Sequence, residues 1–516
     1  MLNNNILFIT SDQQHWMAMG YRNPEVKTPN LNRLVERGTT FHRTYTVNPT
    51  CTPTRASFIT GLYPSQHGAY SLGTKLMEDV PTIGDFLQKH DFRTALVGKA
   101  HFQPLTSTEE YPSLEAYPTL HNLDFWRDFN GPFYGFEHVE LARNHVDESH
   151  VGQHYALWME EKGYKNWRDY FCANNPDFTF PEDQHANSKH TPPEPGHPWQ
   201  IPEEIHYNTW IAERTNALLE GYSRREENFF LWASFFDPHP PYMVPEPYAS
   251  MYDPDEVTVP EHCEGEFEDK PPYFKLSQQK DPDFSSFQES EGNSIHGGGS
   301  HLKSHDEKAK NIAMMYGMMT MMDKYIGKIL DKLDALGLTD NTLVCFTSDH
   351  GDFFGQHGLT EKAIHHYEDV LRVPLVVSMP GTIPQGRVSE SLQSTVDLTQ
   401  TFLNMAGLPV PRTMAGIDQT EVWLGNKESI RDNVIVENQH QPTTMNMRTY
   451  INERYKLTVH YNCEYGELYD LEEYPGEYQN LWDDPDHQNL KTDLLLRFVH
   501  GEMAKAPLPM PRIAGA

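Results

Sequence analysis

The stretch Ile6-Leu-Phe-Ile-Thr-Ser-Asp12-Gln13 decides how the rest of the chain reads. Its apolar run is short and does not alternate, the pattern of a strand buried on both faces of a parallel sheet. It ends abruptly in a carboxylate and a carboxamide, at the end of the strand where open parallel sheets meet their ligands. Similar apolar runs recur at 93–97, 229–235, 343–347 and 373–377, with helical patterns between them. Thr28-Pro29 reads as a helix cap and first helical residue, Leu31, Leu34 and Val35 as the buried face, and Gly38 as the stop. The longest helical pattern spaces Ile312, Met315, Met319, Met322, Ile326, Ile329 and Leu333 by threes and fours, so its methionines read as core filler. Strands alternating with helices predict an α/β fold, a large mixed, mostly parallel sheet sandwiched by helices.

From about residue 420 the pattern changes. Short runs at 433–437, 449–451, 455–459 and 467–471, then a helical pattern at 490–500, predict a smaller C-terminal α+β domain carrying a short antiparallel sheet. The expected division is 1–420 and 421–516. Residues 104–205, rich in Pro, His and aromatics, and the acidic stretch 252–305 read as lid-like excursions. His296, His301 and His305 lie in a Gly/Ser context that favours a surface loop over a metal site. The apolar tail carrying Pro507, Pro509 and Pro511 is expected to be disordered or to lie on a neighbouring subunit, hence a homo-oligomer, dimer or tetramer.

Composition narrows the partners. The 516 residues carry 41 Lys and Arg against 73 Asp and Glu, a net charge of −32. That balance argues against nucleic acid and anionic membranes, which demand clustered positive charge. No run reaches the ~18 apolar residues of a membrane helix. Met1-Leu-Asn-Asn-Asn5 has no basic start, so no signal peptide is read and the expected location is cytoplasmic. The five cysteines, at 51, 172, 263, 345 and 463, form no CxxC pair, so neither a zinc knuckle nor a disulfide framework is expected.

Polar residues cluster at four strand ends. Asp12 follows the first run, Lys99 and His101 the second, Asp237 and His239 the third, and Asp349-His350 the fourth. Any one of these is bland, since a carboxylate there can simply cap a helix; four together predict a ligand crevice. Asp12, Asp349 and His350 supply hard oxygens and one nitrogen, a set suited to Ca²⁺, Mg²⁺ or Mn²⁺. Lys99, His101, His239 and Lys362 would then surround an anion bridging to that metal, a clamp fit for a transferring phosphoryl or sulfuryl group.

Cys51-Thr-Pro-Thr-Arg55-Ala-Ser-Phe-Ile-Thr-Gly61 admits three readings. The bland one is a buried structural cysteine. A thiolate nucleophile of the tyrosine-phosphatase type would need an arginine where this chain has Ser57, and fails. The third is a resemblance: the segment is similar to the C-x-P-x-R…T-G signature of type I sulfatases, alkaline phosphatase superfamily enzymes whose cysteine is oxidised to Cα-formylglycine. The resemblance runs through Thr28-Pro-Asn-Leu-Asn-Arg-Leu34, Gly98-Lys99-Ala-His101, Pro238-His239-Pro-Pro-Tyr242, Ser348-Asp-His-Gly351, Lys362, Arg454-Tyr-Lys-Leu457 and Glu467-Leu-Tyr-Asp-Leu471, in family order.

The resemblance implies an alkaline phosphatase-like fold and a sulfuric ester hydrolase. Residue 51 would act as a hydrated aldehyde, one hydroxyl attacking sulfur in line with the leaving alcohol. His101 would deprotonate the other, and the sulfated hemiacetal would collapse to expel sulfate. Arg55 and Lys99 would hold the diol. His239 and Lys362 would contact sulfate oxygens, and one of the two would protonate the leaving oxygen. The implied metal set is Asp12, residue 51, Asp349 and His350, with Ca²⁺ first and Mn²⁺ or Mg²⁺ as alternatives. The implied partners are a small anionic sulfate ester (aryl, sugar or other organic sulfate) and a formylglycine-generating maturation enzyme. Two positions depart from the fullest family pattern: Gln13 replaces a second aspartate, and His350 an asparagine. Similar Asp-Gln and Asp-His patterns occur in bacterial choline sulfatases and phosphonate monoester hydrolases. The alternative is therefore a phosphonate monoester or phosphodiester hydrolase on the same formylglycine. A third reading, a non-catalytic sulfatase-like binding protein, is opposed by retention of Cys51, Arg55, Lys99, His101, His239, Asp349 and Lys362 together. Trp158, Trp167 and Trp199 read as core aromatics first and as sugar- or aryl-stacking residues second.

Overall fold

The computed structural model describes residues 4–143, 150–171, 197–279, 282–287, 289, 303–362, 364–441 and 443–515. The main sheet contains β1 (Asn5–Ser11), β2 (Thr39–Tyr45), β3 (Phe92–Gly98), β4 (His138–Leu141), β5 (Asn228–Ser234), β6 (Thr342–Ser348), β7 (Leu375–Ser378) and β8 (Arg387–Ser394). Their spatial order is β4-β3-β5-β1-β6-β7-β2-β8. From β4 to β6 every pairing is parallel, so these five strands end on one side. β7 runs antiparallel to both its neighbours, and β2 and β8 pair parallel beyond it. β1 is buried along its whole length, as its unalternating sequence requires.

Helices cover both faces, the α/β architecture expected. Among them His305–Leu336 buries Ile312, Met315, Met319, Met322, Ile326, Ile329 and Leu333, all in one core cluster. The second sheet is antiparallel, with β9 (Val434–Gln441), β10 (Met445–Ile451), β11 (Tyr455–His460) and β12 (Gly466–Asp470) in the order β12-β11-β10-β9. The helix Gln488–Ala504 follows it, and the tail beyond exposes Leu508, Met510 and Ile513. Among the described residues no helix is long and apolar enough to cross a membrane.

Several expectations change. β2, β4 and β8 went unread because hydroxyl, charged and imidazole side chains interrupt their apolar pattern. The 104–205 span is not all excursion, since it contributes β4, the sheet edge, and the largely buried helix Gln153–Glu161. Within 252–305, Phe267, Tyr273 and Phe274 pack in one cluster with Val434, Met445 and Met447 of the second sheet. Trp158, Trp167 and Trp199 all lie in the main core cluster, which removes the substrate-stacking reading. His296 and His301 fall outside the described residues, and His305 opens the long helix.

The helix Pro29–Glu36 is capped differently from its sequence reading. Thr28 makes no side-chain cap bond; its hydroxyl accepts from Gly20 N instead, at 2.8 Å. The free N–H groups at the helix start go to buried Asp323, whose carboxylate accepts Leu31 N at 2.7 Å, Asn30 N at 3.0 Å and Asn30 Nδ2 at 2.9 Å. Nor is Gly38 a left-handed stop. A Cβ there would lie 2.1 Å from Val377 O, so close approach to β7 is what demands glycine. Asp323→Ala strips three donors of their acceptor and should destabilise the protein by about 2–4 kcal/mol in chemical denaturation; an unchanged midpoint would refute this cap.

Candidate active site

The Cys51–Thr60 helix is buried at all ten positions. The turn before it is tied down on both sides. Asn48 Oδ1 accepts Thr50 N at 2.8 Å and Thr50 Oγ1 at 2.6 Å, while Asn48 Nδ2 donates to Glu437 O of β9 at 2.6 Å. Thr46 Oγ1 donates to Asp349 O at 2.7 Å, joining the same turn to the end of β6. Gly61, at φ 64°, ends the helix in the left-handed region that a glycine adopts without strain. Cys51 thus sits at the positive end of a helix that cannot shift.

Around it the ends of β1, β3, β5 and β6 converge. Cys51 Sγ lies 3.1 Å from His350 Nε2, 3.4 Å from Lys362 Nζ and 3.8 Å from Asp12 Oδ1. One donor atom each from Asp12, Cys51, Asp349 and His350 all fall within 4.8 Å of one another, in full burial. His350 Nδ1 donates to Gly351 O at 3.0 Å, which turns Nε2 into this cluster. Two carboxylates, an imidazole nitrogen and position 51 make a donor set that fits a divalent cation.

The positive charges interlock with it. Arg55 Nε donates to Asp349 Oδ2 at 2.8 Å and Nη2 reaches Asp12 Oδ2 at 3.4 Å. Its Nη1 donates to Ser234 Oγ at 2.9 Å and Lys99 O at 3.0 Å. Lys99 Nζ pairs with Asp12. Lys362 Nζ donates to Gln13 Oε1 at 3.0 Å and to His239 Nε2 at 2.8 Å. Burial alone would raise the Asp12 carboxyl, but Lys99 and Arg55 overcome it and hold the group well below the usual carboxylate range. The Cys51 thiol is likewise held down, because Lys362 and Lys99 outweigh its burial. Burial pushes His239 and His101 well below the ordinary imidazole value, with Lys362 adding to the effect on the first and Arg143 on the second. His239 Nδ1 donates to Pro240 O at 2.5 Å, so its Nε2 is the acceptor for the Lys362 ammonium.

The protein-family model described as Sulfatase matches residues 4–408. The chain belongs to the sulfatase family. A second model, described as N-sulphoglucosamine sulphohydrolase, C-terminal, matches residues 355–503. The multifunctional alkaline phosphatase superfamily protein PehA of Trinickia caryophylli is 27% identical, over 98% of this chain and 96% of its own. An arylsulfatase of Clostridium perfringens is 26% identical, over 97% and 94%. Among solved structures, the phosphonate monoester hydrolase SpPMH of Silicibacter pomeroyi superposes with a TM-score of 0.77 at 22% identity, covering 98% of this chain and 96% of that one.

In this sulfatase-family chain Asp12, Cys51, Arg55, Lys99, His239, Asp349, His350 and Lys362 meet directly, and His101 lies within their electrostatic reach. Asp237, read as a third strand-end carboxylate beside Asp12 and Asp349, turns away from the crevice. It accepts from Tyr207 OH and from Asn208 Nδ2 at 2.6 Å, and burial pushes its carboxyl up to about 7. Gln13 does not stand free. Its Nε2 donates to Asp352 Oδ1 at 3.0 Å, and Tyr242 OH donates to Asp352 Oδ2 at 2.6 Å. Sequence reasoning missed the roles of Ser234, Asp352, Glu115 and Arg143. Ser234 lies within the apolar run 229–235 and Asp352 adjoins the segment ending at Gly351, whereas Glu115 and Arg143 lay in the span read as excursion. A groove of about 1780 Å³ lies apart from this centre, beside β8 and the second sheet, and Trp16, Arg43 and Arg372 are among its lining. Arg55→Ala would leave two buried carboxylates without their shared partner, so chemical denaturation should show a loss of about 3–5 kcal/mol; wild-type stability would contradict the knot.

Proposed function

We propose that this sulfatase-family protein hydrolyses a small sulfate monoester, aryl, sugar or other organic sulfate, to alcohol and sulfate, with residue 51 converted to formylglycine by a maturation enzyme. The observation that carries the reading is the placement of Cys51 Sγ at a helix N-terminus, within 4.8 Å of the donor atoms of Asp12, Asp349 and His350 and 3.4 Å from Lys362 Nζ. Those four positions would hold a divalent cation, Ca²⁺ first and Mn²⁺ or Mg²⁺ as alternatives. When bound, such an ion polarises a ligand oxygen and makes a hydroxyl nucleophilic at neutral pH.

The remaining residues do the positioning and the proton traffic. Arg55 and Lys99 neutralise Asp12 and Asp349 and keep their oxygens fixed toward position 51. Lys362 and His239, already hydrogen-bonded to each other, face the anion and supply the proton for the leaving oxygen. His101, neutral through burial, takes the proton that releases sulfate. An enzyme of net charge −32 gains nothing from long-range attraction of an anion. Local capture at Lys362, backed by the buried positive charges of Lys99 and Arg55, therefore replaces steering.

The second reading, a phosphonate monoester or phosphodiester hydrolase, draws support from Gln13. Its carboxamide oxygen accepts from Lys362 where a second aspartate would add a negative charge. Peptide mass spectrometry of protein from its native host should find residue 51 lighter than cysteine, and an unmodified thiol would sink the mechanism. Cys51→Ala should fold and lose turnover by roughly a thousandfold or more. Paired aryl sulfate and phenylphosphonate esters decide between the readings, and a higher kcat/KM on the phosphonate would reverse the assignment. Chelation followed by dialysis should lower Tm, and returning Ca²⁺ or Mn²⁺ should restore it in the wild type but not in Asp349→Ala.

A further inference from the structure

β4 places one more charge near the site. Beyond Leu141, Ala142 N donates to Gly98 O at 3.2 Å, which extends the pairing of β4 with β3 and carries Arg143 in beside Gln103. Arg143 is 5% exposed. Its Nη1 donates to Glu115 Oε2 at 2.6 Å and to Gln103 O at 2.8 Å. Glu115, 2% exposed, also accepts two backbone groups, His101 N at 2.9 Å on Oε1 and Gln103 N at 3.1 Å on Oε2. One carboxylate thus grips the backbone on either side of Phe102, whose ring is fully buried.

That grip falls on a backbone that needs it. His101 has φ 59°, the left-handed region that residues with a Cβ adopt only when their surroundings impose it. Its side chain also lacks the tether its neighbours have. His239 and His350 are each oriented by an Nδ1–H bond to a backbone carbonyl, from Pro240 and Gly351. His101 Nδ1 is buried and has no hydrogen-bond partner among the described residues. The direction of its ring is therefore set by the backbone from which it hangs and by packing. His101 stands two residues past Lys99, which leaves the end of β3 to pair with Asp12, so its ring hangs from the strand end that forms one wall of the crevice.

We propose that Glu115, neutralised by Arg143, is the positioning residue for His101: it holds the left-handed backbone at 101 and so aims the imidazole at residue 51. The proposal rests on the reading of His101 as the acceptor of the proton that releases sulfate. Glu115 does no chemistry itself. It acts only through His101, and that distinguishes it from a clamp that merely stabilises the loop.

A double-mutant cycle makes the distinction. Glu115→Gln offers one carboxamide oxygen to two N–H groups and removes the charge opposite Arg143. It should lower kcat roughly ten- to a hundredfold, with KM within about twofold of wild type. In a His101→Ala background the same change should cost nothing further. Losses that multiply, or wild-type kcat in Glu115→Gln, would overturn the positioning role. Wild-type kcat in His101→Ala would instead overturn the role of His101, and the inference with it. A readout free of turnover uses unmodified Cys51 protein: a crystal structure of Glu115→Gln should show residue 101 out of the left-handed region and its ring displaced, and an unmoved ring contradicts the proposal. Should Glu115→Gln fail to fold, Arg143→Lys, which reaches only one of the two acceptors, should lower kcat in the same direction; wild-type kcat there refutes it equally.

Discussion

One buried guanidinium holds the site together. Arg55 is wholly inaccessible, yet it donates to Asp349 at the end of β6, to Ser234 at the end of β5 and to the carbonyl of Lys99 past the end of β3, and it reaches Asp12 past the end of β1. A charge in that position is tolerable only because carboxylates and dipoles surround it on every side. The same contacts lock four strand ends to the helix that carries Cys51. A one-residue slip of any of these strands would bury an unpaired charge, so the knot enforces register as well as geometry. Close strand approach is part of the arrangement. At Gly98, φ 111°, a Cβ would stand 1.9 Å from Ser234 O, and only glycine lets β3 run so near β5 before Lys99 turns into the site.

The second sheet contributes to the site without supplying a ligand to it. Glu437 of β9 accepts Ser65 N at 2.7 Å and Ser65 Oγ at 2.9 Å, and it pairs with Arg448 and Lys505. Its backbone accepts from Asn48 and donates to Val47 O at 2.8 Å. The turn that delivers Cys51 to the crevice is thus braced between β6 on one side and β9 on the other. Apolar contact adds to this, since Val47 and Tyr63 lie in one cluster with Ile435, Leu457 and Leu468 of the second sheet. The antiparallel sheet reads as a buttress for the nucleophile's position.

Much of this was legible in the sequence where a single physical signal was strong. Apolar runs broken by Asp12, Lys99, His239 and Asp349 marked strand ends, because a buried parallel strand cannot carry a charge until it leaves the sheet. Cys51 and Arg55 stood out only through a motif, since nothing in their local pattern announces a buried helix. The failures have reasons of their own. β4 is four residues long, with His138 and Glu140 on it, so no apolar run signals a strand, and Arg143 beyond it was lost with it. Glu115 sits in a loop whose only signal is proline and aromatic content. Asp237 followed the same strand-end logic as Asp12, but Tyr207 and Asn208 draw its carboxyl to the far side.

What the sequence by itself determined was the type of sheet, the places of its most apolar strands along the chain and the residue types collected at its carboxyl edge. Those follow from burial and charge, which act residue by residue along the chain. Tertiary structure alone decided which of the edge residues share a space, which histidines are oriented by their own hydrogen bonds, and which carboxylate grips the backbone at His101. Those outcomes depend on distances of a few ångströms between segments up to 349 residues apart. Hydrogen bonds and ion pairs are sensitive to such distances, and the pattern of residues along a chain does not record them.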